Sequence, residues 1–414
     1  MEGRIIKTPL GRILLGRLLG QGSFGVVHEA TMLKPDKYGH RQRYAVKCMS
    51  QFPAGSSMAA LQDEEMYLHH MVSEHPNVVD IHGTVVDARE HLVFIVLELC
   101  TGGTLHERIC DGVFLRGSDG ADEKIKSVFG QLLDAVEHCH LKGVYHRDLK
   151  PGNVLIEGEG RAAQALLTDF GMASMQKRGT SLRYGTRQFW SPECQGDLGP
   201  TRYSLQTNDI WSLGIILVLM ITGRFPWSLA SPSDRCFEAY QRVPETIRMA
   251  LGISPEAWEL LQKVLCVNVT DRITVKALRE ELDKIGTFSV EMKGDMPAEE
   301  EDETNVEGQT AVSSSDQDVF SSLILGVSES ASASVDPTMA EEYKQGRAVS
   351  LSSPPEVSKS VSRSRQMGCT ARRLLYIPRL LKTKGRRVLG MESGPVPPAM
   401  ARSPARPQFI ASFY

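Results

Sequence analysis

The sequence predicts an α+β fold in two lobes, a small β-rich lobe followed by a larger helical lobe. Short apolar segments separated by turn residues occupy positions 13–49, as expected for consecutive strands. From about residue 121 onward the chain turns mainly helical, and the segment 209–223 is apolar on nearly all sides, which is typical of a buried helix. These observations place the small lobe at about 10–98 and the large lobe at about 99–286.

The predicted elements follow the chain without an internal repeat. Three strands fill the segment 13–49, and a helix is predicted at 58–73. The apolar run HLVFIVLEL at 91–99 predicts a further strand. The amphipathic segment 121–140 predicts the first long helix of the large lobe, and 209–223 predicts a second, buried one.

The composition is that of an ordinary globular protein. Of 414 residues, 41% are hydrophobic and 23% are charged, which excludes a collagen-like, coiled-coil or wholly disordered chain. The formal net charge of −3 gives no reason to expect direct binding to nucleic acid. The eight cysteines are scattered without a Cys-x-x-Cys pair, which argues against a disulfide framework or a zinc site and favours a reducing compartment.

The N-terminal segment and the longest apolar run bear on where in the cell the protein is found. The first twenty residues lack the apolar core and cleavage site of a signal peptide. The longest apolar run, 215–221, is far shorter than a membrane span. We therefore expect a protein of the cytoplasm, the nucleus or both, with no membrane partner.

The composition changes near residue 287. The acidic run EEEDE at 299–303 and several Ser-rich stretches follow, and we expect 287–414 to form a disordered tail because it cannot bury enough apolar surface. Between Lys359 and Arg387 there are ten Lys or Arg and no Asp or Glu. Three interpretations of this basic segment stay open: a nuclear localisation signal, a docking site for acidic partners, or solvated charge. The partner of the tail is unknown.

A glycine-rich segment stands near the start of the predicted sheet. It fits G-x-G-x-x-G-x-V, and a strand follows it where a dinucleotide-binding motif requires a helix. Glycines let a backbone approach phosphates closely. Lys47, 22 residues past the last glycine, stands in a Tyr-Ala-Val-Lys strand from which an ammonium group can reach the α- and β-phosphates of a nucleotide. The segment comprises Gly20, Gln21, Gly22, Ser23, Phe24 and Gly25.

A lysine in that position needs a carboxylate to hold it. The helix predicted at 58–73 offers Asp63, Glu64 and Glu65. From its distance to the turn that follows the helix, Glu65 is the predicted partner, with Glu64 as the alternative. His69 lies one turn after Glu65, whereas Leu68 lies one turn after Glu64.

Two motifs farther along carry the chemistry. His-Arg-Asp-Leu-Lys-Pro-Gly-Asn at 146–153 matches H-R-D-L-x-x-x-N at every fixed position. Asp-Phe-Gly begins at Asp169, sixteen residues beyond Asn153. In this order, Asp148 can orient a hydroxyl and accept its proton, while Asn153 and Asp169 can ligate Mg²⁺ at the phosphates.

Together these motifs resemble the eukaryotic protein kinase family over about residues 13–286. The resemblance continues in Ser-Pro-Glu at 191–193, in the motif that begins at Asp209, and in Arg272, which the family pairs with Glu193. It implies a two-lobed kinase fold and the transfer of the γ-phosphoryl group of ATP to protein substrates. A pseudokinase would lack a motif residue, and a small-molecule kinase would lack several of these motifs together.

Serine/threonine specificity is implied by two positions. Lys150, two residues after Asp148, is typical of serine/threonine kinases and would contact the γ-phosphate. Thr186 resembles the family threonine that bridges Asp148 and Lys150. The family also implies an adenine pocket, whose residues would be equally at home in a core. Its apolar walls would be Val27, Ala45 and Leu155, its gatekeeper Leu97, and its backbone hydrogen-bonding residues Glu98 and Cys100.

Some positions depart from the usual pattern of the family. They bear on the substrate preference and on the branch of the family that the chain resembles. Thr104 and Gly152 stand where kinases that prefer basic substrates often carry acids, so no strong arginine preference is expected. The segment 169–193 is short, with 25 residues, and Arg147 beside Asp148 implies control by phosphorylation, with Thr180 and Ser181 as acceptors for an upstream kinase. The short segment and the His-Pro-Asn turn resemble fungal regulatory kinases linked to nutrient and meiotic control.

Overall fold

The computed structural model describes residues 1–22, 25–179, 185–196 and 202–290. Within these residues the small lobe is built on one antiparallel sheet. Its strands are β1 (Ile5–Thr8), β2 (Gly11–Gly22), β3 (Gly25–Met32), β4 (Arg43–Ser50), β5 (Ile81–Asp87) and β6 (Leu92–Leu97). Their spatial order is β1-β2-β3-β4-β6-β5, so β4 lies in the interior of the sheet with all but its end residues buried.

The predicted strands of the small lobe are confirmed, and two strands were missed. β2 and β3 pair around the glycine-rich segment, with Gly22 opposite Gly25, so this segment is a strand–loop–strand as predicted. β1 pairs with β2 and begins before the predicted start of the lobe at about residue 10. β5 was missed because Gly83 interrupts its apolar pattern at a register shift in its pairing with β6.

The helix α1 (Ser57–Val72) confirms the prediction for 58–73. It begins where the hydroxyl of Ser56 accepts a hydrogen bond from the amide of Ala59. Its buried face includes Glu65, Leu68, His69 and Val72, spaced as one helical stripe. Two of these four residues are polar, so this face brings ionisable groups as well as apolar side chains into the interior.

The large lobe begins with α2 (Leu105–Cys110) and α3 (Ala121–Leu141), followed by the hairpin of β7 (Val154–Glu157) and β8 (Gln164–Leu167). A second short ribbon pairs β9 (Arg178–Gly179) with β10 (Tyr203–Ser204). The remaining helices are α4 (Pro192–Gln195), α5 (Leu205–Thr222), α6 (Arg235–Arg242), α7 (Pro244–Leu251), α8 (Pro255–Val264) and α9 (Val275–Leu282).

α5 is the centre of the large lobe. It is buried on almost every side, as predicted for 209–223, and its side chains join those of α3 and α8 in one core. Among the described residues it is the one helix long and apolar enough to cross a membrane, but 83% of it is buried inside the fold. Its apolar character is therefore accounted for by packing within the protein.

The described fold extends a few residues past the predicted end of the large lobe at 286. Phe288 is fully buried, and its carbonyl oxygen accepts a hydrogen bond from the amide of Ser254, which begins α8. The predicted tail from residue 291 to 414, with its acidic and basic segments, lies outside the described residues.

Candidate active site

Three charged side chains meet between the sheet and α1. Lys47, on the interior strand β4, places its Nζ atom 2.6 Å from Oε1 of Glu65 and 3.0 Å from Oδ1 of Asp169. The side chains of Lys47 and Glu65 are each only 7% exposed. This pairing decides between the two predicted carboxylates, because Glu65 and not Glu64 lies on the buried face of α1.

Burial and charge oppose each other in this triad. Burial alone would lower the pKa of Lys47, but the carboxylates of Asp169 and Glu65 outweigh it and raise the pKa. Burial would likewise raise the pKa of Asp169, but Lys47 outweighs it and lowers the pKa. For Glu65 burial prevails over Lys47 and raises the pKa. The site thus holds the Lys47 cation beside an ionised Asp169. The two groups are in contact and largely shielded from water.

The position of α1 is fixed to the Asp169 turn through an imidazole. The His69 ring lies 4.8 Å from the ring of Phe170, and the ring of His146 lies 5.1 Å from Phe170 on another side. Nε2 of His69 is 2.8 Å from the carbonyl oxygen of Val79. Burial lowers the pKa of His69 to about 4, so the ring is neutral near pH 7. His69 thus packs against Phe170 as a neutral ring.

The loop that carries Asp148 is held by α5. The carboxylate of Asp209 accepts hydrogen bonds from the backbone amides of His146 (2.9 Å) and Arg147 (2.8 Å). Arg147 has a left-handed backbone with φ of 68°, a conformation rare for a residue with a side chain. The buried Asp209 therefore fixes an otherwise unfavourable turn directly before Asp148.

Asp148, Lys150 and Thr186 form one hydrogen-bonded group. The amide and the hydroxyl of Thr186 each donate to Oδ1 of Asp148 at 2.8 Å. Nζ of Lys150 donates to the Thr186 hydroxyl at 2.9 Å and lies 2.9 Å from Oδ2 of Asp148. Gly185, with φ of +94°, lets the chain turn here, because a Cβ atom would lie 2.6 Å from the carbonyl oxygen of Arg147. The Thr186 hydroxyl thus lies between Asp148 and Lys150, in the bridging position that the family resemblance implies.

Two oxygen-bearing side chains that could hold a divalent metal lie beside this group. The side-chain amide nitrogen of Asn153 donates to the carbonyl oxygen of Asp148 at 2.9 Å, which fixes the side chain and leaves its amide oxygen as the ligand atom. The backbone amide of Thr168 donates to the carbonyl oxygen of Asn153 at 3.0 Å, so the residue before Asp169 is tied to Asn153. An amide oxygen and an ionised carboxylate are the ligands that hard divalent cations prefer, so these residues fit such a metal.

The apolar residues predicted to line an adenine pocket come from both lobes and lie in one buried cluster. Val27 and Ala45 from the sheet, Leu97 at the end of β6, and Leu155 from β7 belong to one apolar cluster, each at most 3% exposed. Cys100 joins the same cluster, and Glu98 lies two residues before it in the segment that links the lobes. Leu19 and Leu166, which the sequence did not single out, also contact this cluster. Leu166 pairs with Leu155 across the hairpin of β7 and β8, which was not predicted from the sequence.

The structure describes only some of the residues predicted for the glycine-rich segment and the activation segment. Gly20, Gln21 and Gly22 end β2, and Gly25 begins β3 with φ of +142°, where a Cβ atom would collide with the carbonyl oxygen of Cys48. Ser23 and Phe24, and the predicted phosphorylation sites Thr180 and Ser181, lie outside the described residues.

A bridging network that the sequence did not reveal joins the turn after α1 to the large lobe. The side-chain amide of Asn77 donates to Oε1 of Gln131 and to the carbonyl oxygen of Ala165, each at 2.9 Å. Gln131 lies on α3 and Ala165 on β8, whose end leads to Asp169. No local spacing connects residues 77, 131 and 165, so pattern reasoning had no signal for this contact.

Comparison with known proteins points to the same family as the motifs that form this site. The protein kinase domain family matches residues 14–282. The negative regulator of sexual conjugation and meiosis of Schizosaccharomyces pombe is 33% identical, over 63% of this chain and 57% of that protein. CBL-interacting protein kinase 20 of Oryza sativa subsp. japonica is also 33% identical, over 65% of this chain and 56% of that protein. CBL-interacting serine/threonine-protein kinase 1 of Arabidopsis thaliana is 31% identical, over 81% and 69%.

The chain therefore spans less than three fifths of the first two relatives. The fission yeast regulator agrees with the predicted resemblance to fungal kinases, and equal identity to a rice kinase shows that the resemblance is not confined to fungi. A protein kinase domain binds ATP and typically a divalent metal, which the buried triad and the oxygen ligands fit. The family match covers well over half of the sequence. The chain belongs to the protein kinase family.

Proposed function

We propose that the protein is a serine/threonine protein kinase that transfers the γ-phosphoryl group of ATP to protein substrates. The observation that carries the proposal is the group formed by Asp148, Lys150 and Thr186, in which the threonine hydroxyl lies 2.8 Å from the aspartate and 2.9 Å from the lysine. The carboxylate faces the region where an acceptor hydroxyl must arrive, and the lysine supplies a positive charge beside it.

In this proposal the buried triad prepares the nucleotide site. Lys47 contacts the α- and β-phosphates, and Glu65 holds Lys47 in place through the contact of 2.6 Å. The apolar cluster of Val27, Ala45 and Leu155 encloses adenine, and Leu97 closes its inner end. The backbone groups of Glu98 and Cys100 bind the adenine edge, and the glycines at the end of β2 and the start of β3 cover the phosphates.

Mg²⁺ is the divalent cation that we propose for the site, held by Asn153 and Asp169. When bound, it supplies positive charge that neutralises the phosphate oxygens. The protein's own contribution is the alignment of these two side chains, since Asn153 is fixed by its hydrogen bond to Asp148 and Asp169 by its contact with Lys47.

The proposed step conserves atoms and charge. The hydroxyl oxygen of the acceptor forms a bond to the γ-phosphorus as the bond from that phosphorus to the β–γ bridging oxygen breaks, and ADP leaves. Asp148 accepts the proton of the hydroxyl. Lys150 stabilises the charge that develops on the transferred group, and Thr186 keeps Asp148 and Lys150 aligned.

We also propose that phosphorylation of the activation segment by an upstream kinase raises activity, with Thr180 and Ser181 as acceptors. β9 ends at Gly179, which pairs with Tyr203, and the Tyr203 hydroxyl hydrogen-bonds the side chains of Cys194 and Arg147. The segment that contains the acceptors therefore starts next to a residue in contact with Arg147. A T180A/S181A variant with undiminished activity would contradict this part of the proposal.

Two further proposals concern the domain boundaries and the cellular location of the protein. We propose that the kinase domain comprises residues 1–286 together with 287–290, whose Phe288 is fully buried, and that the remainder up to 414 forms a tail outside it. We also propose that the protein occupies the cytoplasm, the nucleus or both. The ten Lys or Arg of the basic segment 359–387 support import into the nucleus. A fluorescent fusion of the full chain, compared with one lacking 359–387, tests this: an unchanged nuclear fraction would contradict it.

The activity is tested with the purified full-length protein, radiolabelled ATP and Mg²⁺, on degenerate peptide arrays with serine, threonine or tyrosine acceptors. We expect label on serine and threonine peptides that is lost in Asp148→Asn. Asp119→Asn, which changes an exposed carboxylate in the same way, is the matched control and should retain the signal. Label on tyrosine alone, or label that persists in Asp148→Asn, would overturn the proposal.

A further inference from the structure

The segment that faces the substrate carries an excess of positive charge. Between Phe170 and Asn208 the sequence has five Lys or Arg and two acids. One of the acids, Glu193, is already bound by Arg272 at 2.6 Å. The other, Asp197, lies outside the described residues. In the unphosphorylated chain the cations of this segment therefore outnumber the acids that can neutralise them.

Four of these cations are described, and each is exposed. Lys177 and Arg178 lie on or beside β9, and Arg202 directly precedes β10, which pairs with β9. Arg187 directly follows Thr186 and begins the short helical turn that ends at Phe189. Within the described parts of the chain, none of the four is in an ion pair, whereas other surface cations are paired, such as Arg242 with Glu238 and Arg279 with Asp283.

Arg187 has the most direct access to a substrate. Thr186, its neighbour, is hydrogen-bonded to Asp148 at 2.8 Å, so Arg187 starts one residue from the group that must receive the acceptor hydroxyl. Consecutive Cα atoms are about 3.8 Å apart, and an extended peptide advances about 3.3 Å per residue. A side chain within three residues of the acceptor therefore lies within reach of the Arg187 guanidinium.

The carboxylate closest in sequence to Thr104, that of Glu107, is already engaged. At the start of α2 the carboxylate of Glu107 accepts hydrogen bonds from the amide and hydroxyl of Thr104, and the Thr104 hydroxyl accepts one from the amide of Glu107. Glu107 is thus part of a capping box. This extends the sequence expectation for Thr104, because the carboxylate three residues after it serves as a helix cap.

We propose that Arg187, assisted by Lys177, Arg178 and Arg202, selects protein substrates in which the acceptor serine or threonine is flanked by an acidic or phosphorylated residue. The inference rests on the proposed kinase function. Unneutralised cations beside a binding site steer anionic partners towards it and discriminate against cationic ones. A phosphate or carboxylate also matches the planar fork of a guanidinium.

The test compares matched peptides that differ only at positions within three residues of a central serine, which carry Asp, phosphoserine, Ala or Arg. For the full-length protein we expect kcat/KM for the best acidic peptide to exceed that for the Ala peptide by about 2- to 5-fold, since exposed ion pairs are individually weak. The ratio should fall with added salt. Arg187→Glu should invert the order, so that the Arg peptide is preferred to the Asp peptide. Lys276→Ala, an exposed cation on α9, should leave the ratio unchanged.

The outcomes separate this inference from the proposed function. Equal phosphorylation of acidic and neutral peptides would overturn the substrate preference while the kinase activity stands. If no peptide is phosphorylated, fluorescence anisotropy with Asp148→Asn protein decides the inference: tighter binding of the acidic peptide that Arg187→Glu abolishes supports it, and equal binding overturns it. Arg187→Gln serves if the Glu variant does not fold. A single-stranded oligonucleotide that binds as tightly as the acidic peptide would also overturn it.

Discussion

The imidazole of His69 lies 4.8 Å from the aromatic ring of Phe170, and its Nε2 lies 2.8 Å from the carbonyl oxygen of Val79. One side chain thus contacts the turn that starts at Asp169 and the strand entry at Val79, while α1 carries it one turn after Glu65. Any rotation of α1 that moves Glu65 away from Lys47 must also break these two contacts. An apolar residue would provide the ring contact alone.

The first prediction concerns stability against pH. Burial lowers the pKa of His69 from 6.5 to about 4, so between these values the unfolded chain binds a proton that the folded chain does not. The free energy of unfolding therefore decreases as the pH falls through this window, by about 3 kcal/mol in full. His69→Leu removes this contribution. Urea unfolding at pH 7.0 and pH 4.5 should show a smaller loss for the variant than for the wild type, and equal losses would contradict the assignment.

The second prediction concerns the buried triad. Lys47→Met leaves the carboxylates of Glu65 and Asp169 without their cation, which should destabilise the fold by about 3–5 kcal/mol. In a double-mutant cycle with Glu65→Gln, the two changes should cost less together than the sum of their separate costs. Glu64→Gln is the matched control, because this neighbouring glutamate lies off the buried face, and it should show no coupling to Lys47. Equal coupling for both glutamates would refute the pairing.

The third prediction concerns the ion pair between Arg272 and Glu193. The arginine side chain is fully buried, lies 2.6 and 3.1 Å from the two carboxylate oxygens, and also donates to the carbonyl oxygen of Thr207 at 2.9 Å. Arg272→Ala should therefore lower the free energy of unfolding by about 3–5 kcal/mol. Arg242→Ala, which removes an exposed pair with Glu238, should cost about 1 kcal/mol or less. Similar losses for the two variants in denaturant unfolding would count against a structural role for the buried pair.

The fourth prediction concerns Gly185. A Cβ atom there would lie 2.6 Å from the carbonyl oxygen of Arg147 and 3.3 Å from Oδ1 of Asp148. Gly185→Ala should displace Asp148 or Thr186, and a displacement of about 1 Å can cost on the order of 100-fold in kcat. Gly143→Ala introduces the same side chain at another positive φ, of +73°, with open space around it. It should share the backbone strain but retain activity, and an equal loss of kcat in both variants would show that strain alone is responsible.

Residues that act through a fixed motif were predictable from the sequence. Lys47, Asp148, Asn153 and Asp169 lie together as their spacing implied, because each motif includes the strand or turn that positions it. The choice of Glu65 over Glu64 was harder, because adjacent helical residues point about 100° apart and the sequence does not fix the rotation of α1. The backbone acceptor of His69 on Val79 was not predictable at all, since a carbonyl group has no signature in the sequence.

The fold was predicted where periodicity is strong. α3 and α5 were predicted because long amphipathic or apolar segments leave one interpretation, although α5 begins at Leu205, four residues before its predicted start. The hairpin of β7 and β8 was missed because each strand has four residues, which is too short for a period to be recognised. The hydrogen bonds of Asn77 to α3 and β8 depend on tertiary proximity, which no single segment encodes.

The hydrogen bonds from His146 and Arg147 to Asp209 have a consequence for the dynamics of the protein. Asp209 lies on α5, which is buried on almost every side, so these two backbone amides can be released only when the centre of the large lobe opens. Their hydrogen exchange should therefore follow global unfolding, although the residues lie in a loop. Opening and closing of the nucleotide site would then move Lys47 and Glu65 towards a catalytic aspartate that stays still.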